Sequence, residues 1–271
     1  MENSKNAIFA DTHLHSEHSF DGHHSVRDIC RAAKKEGLSY IAITDHFECG
    51  KVDEPIQSDI GRINASVADS AACDSETLRV LRGVEIGQPN CDPETARKVL
   101  EANEYDIVLG SVHYINDGED LYWFDYKKRD AEEVYRTYIN DVLTVARTFD
   151  YDVLAHMSYP LRYIINRDGV QLDVSKYADI HDEIYKAVIE RGKALEVNTK
   201  LLWRPGGFLT PDTDMLRRYY ELGGRMVTLG SDAHYTNVVG SGIKRTVNIL
   251  RELGFESHFV YENRQPVELS L

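Results

Sequence analysis

DTHLHSEHSFDG, residues 11–22, is the stretch that decides the fold, because it ends a short apolar run, AIFA, with two histidines. The run predicts a β-strand, and side chains at positions i and i+2 of an extended strand lie on the same face. His13 and His15 can therefore bind one metal ion together. An HxH pair alone also fits a surface or packing role, so the rest of the chain decides between these interpretations.

Histidines and carboxylates follow other short apolar runs in the same way. After the runs YIAIT, LRVLRGV, DIVLGSV, DVLA and MVTLGS come His46, Glu85, His113, His156, and the pair Asp232 and His234. Alone, His46 also fits a packed side chain, and Asp45 fits a helix cap or a carboxylate that fixes His46. Together, ligands at the same end of successive strands indicate a metal site with room for more than one ion. The remaining histidines are expected to be solvated or locally hydrogen-bonded: His18, His23, His24, His181 and His258.

Short apolar runs alternate with longer amphipathic stretches, which is the pattern of βα units around a parallel sheet. The predicted strands are 7–12, 39–44, 79–85, 106–112, 152–155, 194–198 and 226–230. The predicted helices are 25–36, 58–72, 93–103, 130–149, 174–191, 211–222 and 241–253. Seven such units fit one barrel-like domain over residues 1–271, with its chemistry at the carboxyl ends of the strands. An open sheet with the same strand order is the alternative, and the tail from residue 257 is expected to add an edge strand.

Composition and charge narrow the function classes. The net charge of −14 argues against a general nucleic-acid or anionic-membrane surface. It permits a small anionic substrate, because bound divalent cations reverse the local field. No apolar run approaches the roughly 20 residues of a membrane span. The cysteines lack CxxC spacing and nothing resembles a signal peptide, so we expect a cytoplasmic protein. Nothing in the sequence specifies an oligomeric state.

Six motifs carry a family resemblance. DTHLHSEHSFDG, ITDHFE, RGVEIG, GSVHYI, LAHMSYP and GSDAH, in this order and spacing, resemble the polymerase-and-histidinol-phosphatase (PHP) family of metal-dependent phosphoesterases. The resemblance runs from about residue 8 to about residue 245. Within that family, the chain length, the DGHHS continuation and the YPLRY segment are most similar to histidinol-phosphate phosphatases.

The resemblance implies a distorted (β/α)7 TIM-like barrel with two to three divalent transition metal ions, of Zn, Mn or Fe. Four residues match the ligands of a first ion: His13, His15, Glu85 and Asp232. Glu85 is expected to bridge to a second ion, which His113 and His156 also hold. His46 and His234 match the ligands of a third ion, together with Asp21, where some relatives carry histidine.

The implied reaction is hydrolysis of L-histidinol phosphate to L-histidinol and phosphate, in histidine biosynthesis. Metal ions lower the pKa of bound water, and a hydroxide that bridges them is expected to attack phosphorus without a phospho-enzyme intermediate. Asp232, Asp21 or His234 is expected to give the departing alkoxide its proton.

Candidate substrate contacts lie mainly after the fifth and sixth strands. Arg162 is expected to clamp the phosphate, because a guanidinium group binds phosphate through two hydrogen bonds; a surface arginine is the alternative. Further candidates are Lys200, Arg204 and Ser16. Glu17 or Asp45 is expected to face the amine and imidazole of the substrate. The loop 114–129 fits either a lid or a packed surface segment.

Two other functions are compatible with parts of the pattern. A PHP-type phosphoesterase acting on nucleotides or other small phosphate esters would keep every metal ligand, but would need basic or stacking residues around the site. A non-catalytic metal-dependent binding module would hold its ions in closed sites. The mixed histidine and carboxylate set instead indicates open positions for water and substrate.

Overall fold

Parallel strands form the centre of the chain, whose computed structural model describes residues 8–50, 54–116, 118–204 and 206–271. The strands are β1 (Ala10–Leu14), β2 (Tyr40–Ile43), β3 (His46–Glu48), β4 (Arg79–Gly87), β5 (Ile107–Ser111), β6 (Tyr114–Ile115), β7 (Glu119–Asp120), β8 (Val153–Leu154), β9 (Ala194–Asn198), β10 (Val227–Gly230), β11 (Ser257–Glu262) and β12 (Gln265–Ser270). The helices are α1 (Val26–Glu36), α2 (Ile60–Cys73), α3 (Pro93–Ala102), α4 (Ala131–Thr148), α5 (Ala178–Glu190), α6 (Thr213–Glu221) and α7 (Ile243–Leu253). Short 3₁₀ turns lie at Pro55–Ser58, Leu121–Trp123, Val174–Tyr177 and Thr236–Val238, and a π-helical turn at Arg162–Arg167.

The central sheet has the strand order β1-β2-β4-β5-β8-β9-β10, and all of these neighbours are parallel. A parallel bridge between Leu14 of β1 and Ala233, just after β10, brings the two ends of the sheet together, so the sheet nearly closes on itself. Strand order follows chain order, and helices occupy most of the connections between the parallel neighbours. The predicted distorted (β/α)7 barrel is therefore confirmed, and the open sheet is not.

The predicted helices and strands differ from the observed ones mainly at their ends. Helix α1 begins as expected, since Ser25 accepts a hydrogen bond from the Asp28 N–H at 3.2 Å. It ends at Gly37, whose φ of 77° is the left-handed conformation that favours glycine. Helix α5 begins later than predicted, because residues 174–177 form a 3₁₀ turn first. Among the described helices, none combines the length and apolar character that a membrane span requires.

Strand β3 was not predicted and has a direct effect on the site. It pairs in parallel with β4, which places His46 opposite Glu85 and Glu48 opposite Gly87. Strand β4 is nine residues long; its first half pairs with β2 and its second half with β3 and β5. Backbone register therefore brings the end of the second βα unit alongside Glu85.

The barrel interior is apolar at one end and polar at the other. The apolar end is lined by Ala10, Ala42, Leu81, Ile107, Leu109, Val153, Ala155 and Ala194. Further along the same strands lie the buried polar side chains of His13, Glu85 and Glu196. The register of β1 against β2 shifts between Asp11 and Leu14, an irregularity that changes which side chains face inward. Ala10 and His13, three residues apart, can therefore both face the interior.

The carboxyl-terminal tail forms an antiparallel hairpin, β11–β12, which corrects the expected edge strand. Its Val260, Tyr261 and Leu269 belong to the same apolar cluster as the side chains that line the apolar end of the barrel. The carboxylate of Asp106, immediately before β5, accepts a hydrogen bond from the N–H of Asn263 in the hairpin turn at 3.0 Å. Burial of these apolar groups explains the arrangement: the hairpin covers the amino-terminal end of the barrel.

His181, on α5, is buried rather than solvated. Its exposed fraction is 5%, and its Nε2 lies 3.0 Å from the hydroxyl of Tyr135 on α4. Burial disfavours the charged imidazolium and lowers the pKa of His181 to about 4. His258, in the tail, is likewise buried, with its Nε2 2.9 Å from the carbonyl oxygen of Ile8. Both histidines serve packing between elements.

We predict that the free energy of unfolding decreases as the pH falls from about 6.5 to 4, in part because of His181. The unfolded ring takes up a proton near pH 6.5, whereas the folded ring does so only near pH 4. Between pH 6.5 and pH 4, His181 alone lowers the free energy of unfolding by about 1.4 kcal/mol for each unit that the pH falls. Urea unfolding of the wild type and of His181→Gln at several pH values measures it, since the other titratable groups are common to both. A difference between the two proteins that is constant with pH would contradict the prediction.

Candidate metal centre

The carboxylate of Glu85 lies at the carboxyl ends of the strands, with five histidine rings around it. Glu85 has no exposed surface. Its Oε2 lies 3.0 Å from His13 Nε2, 3.0 Å from His46 Nδ1 and 3.6 Å from His15 Nε2. Its Oε1 lies 2.9 Å from His156 Nε2 and 3.2 Å from His113 Nε2. Side chains from the ends of four other strands, β1, β3, β5 and β8, therefore meet at one carboxylate.

Asp21, Asp232 and His234 complete the group of predicted ligands. His234 Nε2 lies 2.8 Å from Asp21 Oδ2, and His46 Nε2 lies 3.7 Å from the same oxygen. Asp232 Oδ1 is 3.5 Å from His15 Nε2. Asp232 has a φ of 53°, a left-handed conformation that aspartate tolerates better than most residues. All nine side chains predicted as ligands thus lie in one contiguous cluster.

Several buried nitrogen and oxygen atoms of this cluster have no hydrogen-bond partner. These are both ring nitrogens of His15, Nδ1 of His156 and Oδ1 of Asp21. A buried polar atom without a partner costs free energy, which a bound cation would remove for the atoms that face it. The unpartnered atoms therefore fit a centre that holds metal ions.

Among the described residues, five sets of three ligand atoms lie close enough together to hold an ion, with the atoms of each set at most 4.8 Å apart. Three sets contain only predicted ligands: His13, His15 and Asp232; Glu85, His113 and His156; and His15, His46 and His234. The other two sets each include a further glutamate: His13, His156 and Glu196; and His46, Glu48 and His113. Imidazole and carboxylate donors suit Zn, Mn and Fe. The geometry can therefore accommodate two or three ions of this kind.

Opposing effects set the pKa values in the cluster. Burial disfavours the charged carboxylate of Glu85, but His13, His46 and His113 hold its pKa well below the usual value. Burial and the neighbouring His46 hold the pKa of His15 well below its usual value. His15 is therefore a neutral imidazole that faces a carboxylate anion, which is the state in which a histidine binds a metal ion.

Arg162 and Lys200, two predicted substrate contacts, lie directly beside the cluster. The π-helical turn begins at Arg162, which is 3% exposed; its Nη1 donates to Asp232 Oδ2 at 2.8 Å and its Nη2 to Thr210 Oγ1 at 3.2 Å. Lys200, immediately after β9, donates from Nζ to Asp232 Oδ1 at 2.7 Å. The same Nζ is 3.2 Å from His234 Nδ1. Asp232 therefore connects the other side chains of the cluster to two cationic residues, Arg162 and Lys200.

Ser16 and Asp45 have other partners than expected. Ser16 is fully buried, and its hydroxyl donates to Asp45 Oδ2 at 2.6 Å. Asp45 is also fully buried and accepts a second hydrogen bond from the hydroxyl of Ser66 on α2 at 2.5 Å. These bonds anchor the loop after β1 to α2. Both side chains are thus buried and engaged within the protein, and their contact with a substrate stays a prediction.

Arg204 and the loop 114–129 lie outside the cluster. Arg204 is exposed, its guanidinium lies 4.8 Å from the ring centroid of Trp203, and none of its described contacts reaches the nine side chains. Within the loop, Leu121 and Phe124 are buried, and Arg167 donates to the carbonyl oxygens of Tyr122 and Phe124. These contacts favour the packed surface segment over the lid.

Two buried glutamates of the cluster were missed by the sequence analysis. Glu196, in the middle of β9, lies 2.6 Å from His13 Nδ1 through its Oε1. Glu48, at the end of β3, lies 2.8 Å from His113 Nδ1 through its Oε1. A signal was present, because Glu196 interrupts the apolar strand ALEVN and a buried, unpaired carboxylate is costly.

The fold and the motifs have counterparts among known proteins. The sequence matches the family model of the PHP domain over residues 11–200. A probable histidinol-phosphatase of Clostridium acetobutylicum is 33% identical over 259 residues, which cover 94% of this chain and 97% of that protein. A probable histidinol-phosphatase of Thermotoga maritima is 28% identical over 246 residues, 91% of this chain and 93% of that one.

A solved structure has the same fold. The crystal structure of histidinol phosphate phosphatase from Lactococcus lactis, in complex with Zn, L-histidinol and phosphate, superimposes with a TM-score of 0.82. It is 24% identical, and the alignment covers 96% of this chain and 98% of that one. This similarity supports the barrel described above for the whole chain.

We predict that Glu85→Ala lowers the amount of metal that the protein retains after loading with Zn²⁺ or Mn²⁺, because it removes the carboxylate shared by the five histidines. Elemental analysis after exhaustive dialysis measures the metal content. Glu101→Ala, which removes an exposed carboxylate that pairs with Arg97 on α3, is the matched control. Unchanged metal content in Glu85→Ala would exclude a bridging role for Glu85.

Proposed function

This chain belongs to the PHP domain family, and from that membership and the geometry of its centre we propose that it is a metal-dependent phosphomonoesterase that hydrolyses L-histidinol phosphate to L-histidinol and phosphate. The observation that carries the proposal is the buried Glu85 carboxylate among five histidines, with Arg162 and Lys200 at its side. The choice of ester is supported by the 33% identity to a probable histidinol-phosphatase over nearly the whole chain.

The nine clustered side chains would hold two or three transition metal ions, and the shared carboxylate of Glu85 would be a ligand among them. When bound, the ions supply positive charge opposite the phosphoryl oxygens and a water molecule of lowered pKa. Such assistance is needed because uncatalysed hydrolysis of phosphate monoesters is among the slowest reactions known. Zn, Mn and Fe all fit the donor set.

Arg162 and Lys200 are proposed to bind the phosphate. The Asp232 carboxylate already orients both cations, since each of its oxygens accepts a hydrogen bond from one of them. Arg162 is buried and held on two sides, which favours a fixed position toward phosphoryl oxygens. The Lys200 side chain is 36% exposed and can reach an entering phosphate from the open side. Fixed donors of this kind stabilise charge on the transferring phosphoryl group.

The proton for the departing alkoxide is proposed to come from Asp232, Asp21 or His234, which lie together in the cluster. Burial disfavours ionisation of Asp232, but Lys200 and Arg162 hold its pKa well below the usual value. Burial acts in the same way on Asp21, and His46 and His234 hold its pKa below the usual value. Both carboxylates are therefore ionised near neutral pH, where neither carries a proton to donate. His234 is 13% exposed, but burial and the neighbouring Lys200 lower its pKa as well. The choice of donor among these three residues stays a prediction.

Residues 1–271 are proposed to form one phosphoesterase domain of this kind. Its substrate is a small phosphate ester and not a nucleic acid, in keeping with the net charge of −14. The cytoplasmic location stays a prediction.

A phosphate-release assay tests the substrate assignment. We predict a kcat/KM for L-histidinol phosphate at least about tenfold higher than for p-nitrophenyl phosphate or for 3′,5′-nucleoside bisphosphates, because contacts to the histidinol group are made only by the first substrate. Equal efficiency with the chromogenic ester would refute the specific assignment. Higher efficiency with the nucleotides would assign the enzyme to the nucleotide-directed phosphoesterases.

Substitution of Lys200 tests the phosphate site. We predict that Lys200→Met lowers kcat/KM roughly ten- to hundredfold, the usual effect of losing a hydrogen bond to a charged group. Lys193→Met is the matched control, because Lys193 lies just before β9 and pairs with Asp150 at the other end of that strand. Steady-state kinetics on L-histidinol phosphate measure both variants. Equal losses in the two variants would contradict a local role for Lys200.

A further inference from the structure

Glu48 and Glu196 each lie directly behind one histidine of the centre. Both are 1% exposed. Glu196 Oε1 is 2.6 Å from His13 Nδ1, and Glu48 Oε1 is 2.8 Å from His113 Nδ1. In both rings the other nitrogen, Nε2, faces Glu85, at 3.0 Å for His13 and 3.2 Å for His113. The same three-part arrangement, from Glu85 through a ring to an outer glutamate, therefore occurs twice.

The second oxygen of each outer glutamate is already occupied by a nitrogen donor. Glu196 Oε2 accepts a hydrogen bond from the backbone N–H of His156 at 2.6 Å. Glu48 Oε2 accepts one from Gln88 Nε2 at 2.7 Å. The oxygens of Glu85, in contrast, are surrounded by ring nitrogens of histidines. This difference separates a carboxylate that is available to a cation from two that are committed to N–H groups.

Two strand glycines provide the space that the outer glutamates occupy. A Cβ atom on Gly87 would lie 1.9 Å from Glu48 Oε2, and one on Gly230 would lie 2.3 Å from Glu196 Oε1. Neither glycine has a positive φ, so the requirement is for space and not for backbone conformation. The strands next to Glu48 and Glu196 are thus built to admit each carboxylate.

We propose that Glu48 and Glu196 are positioning residues that keep the ring protons of His113 and His13 on Nδ1. A histidine binds a metal ion through a nitrogen that carries no proton, and a carboxylate at the opposite nitrogen fixes both tautomer and ring orientation. Each glutamate thereby directs the Nε2 lone pair of its histidine toward Glu85 and the ions beside it. The inference rests on the proposed function, because it requires a metal centre.

The first test measures the ring tautomers in the Zn²⁺-loaded wild-type protein, because a metal-free ring between two carboxylates holds a proton on each nitrogen. Long-range ¹H–¹⁵N NMR distinguishes Nδ1–H from Nε2–H imidazoles, and single histidine substitutions assign the signals. The expected result is the Nδ1–H form for both His13 and His113. The Nε2–H form at both positions would overturn the proposal, whether or not the protein proves to be a phosphatase.

The second test measures the affinity for Zn²⁺ by competition with a chromophoric chelator. In Glu196→Gln and Glu48→Gln, one oxygen becomes an amide that cannot accept both N–H groups, and we expect affinity to fall roughly 10- to 100-fold. Glu94→Gln, on the exposed face of α3, is the control for the lost charge. Unchanged affinity overturns the proposal. So does a loss of affinity with an unchanged tautomer, because it would make the glutamates metal ligands.

Gly87→Ala keeps the Glu48 carboxylate but displaces it, and this variant replaces Glu48→Gln should that protein fail to fold. The same loss of Zn²⁺ affinity is expected for it, with the Nδ1–H signal of His113 weakened. Failure of the proposed function has a different signature, since the wild type would then release no phosphate from L-histidinol phosphate while its ring tautomers remained measurable.

Discussion

One buried carboxylate, that of Glu85, determines how this barrel is built. An ionised carboxylate without exposed surface is strongly unfavourable unless cations or hydrogen-bond donors surround it. Five histidine rings surround the carboxylate. One of them, His46, lies on β3, which pairs with β4 beside Glu85, and the other four come from the ends of β1, β5 and β8. The long β4, the extra pairing of β3 and the shift in register within β1 all bring rings to this point. The same strand pairings that form the barrel therefore also position the ligands of the metal centre.

The sequence predicted what depends on local pattern. Histidines after apolar runs identified the strand ends, and His46 and Glu85 were both found although β3 was not, because each follows its own run. Glu48 and Glu196 were missed, since their roles arise from pairing between strands: Glu48 lies opposite Gly87 only through the register of β3 with β4. Ser16 was assigned to substrate because its burial against Asp45 depends on α2 packing over the loop. Contacts set by packing leave little trace in a single sequence.

The two ends of the barrel have opposite physical demands. The amino-terminal end is filled by small and branched side chains and covered by Val260, Tyr261 and Leu269 of the hairpin, so it contributes hydrophobic burial. The carboxyl-terminal end gathers charge, and its polar atoms include several without partners. Hydrophobic burial at the amino-terminal end thus offsets the unfavourable gathering of buried charged and polar groups at the carboxyl-terminal end. Such compensation is general for active sites.

Because the barrel closes through Leu14 and Ala233, it can be completed only when the newly synthesised chain contains both ends of the sheet. The clustered side chains extend from His13 to His234, so a ribosome must release nearly the whole polypeptide before they can meet. An incompletely synthesised chain contains some of these histidines but does not yet hold the full set of ligands together. The complete set of ligands therefore forms only late in folding, and binding of an ion is coupled to the last steps of barrel closure.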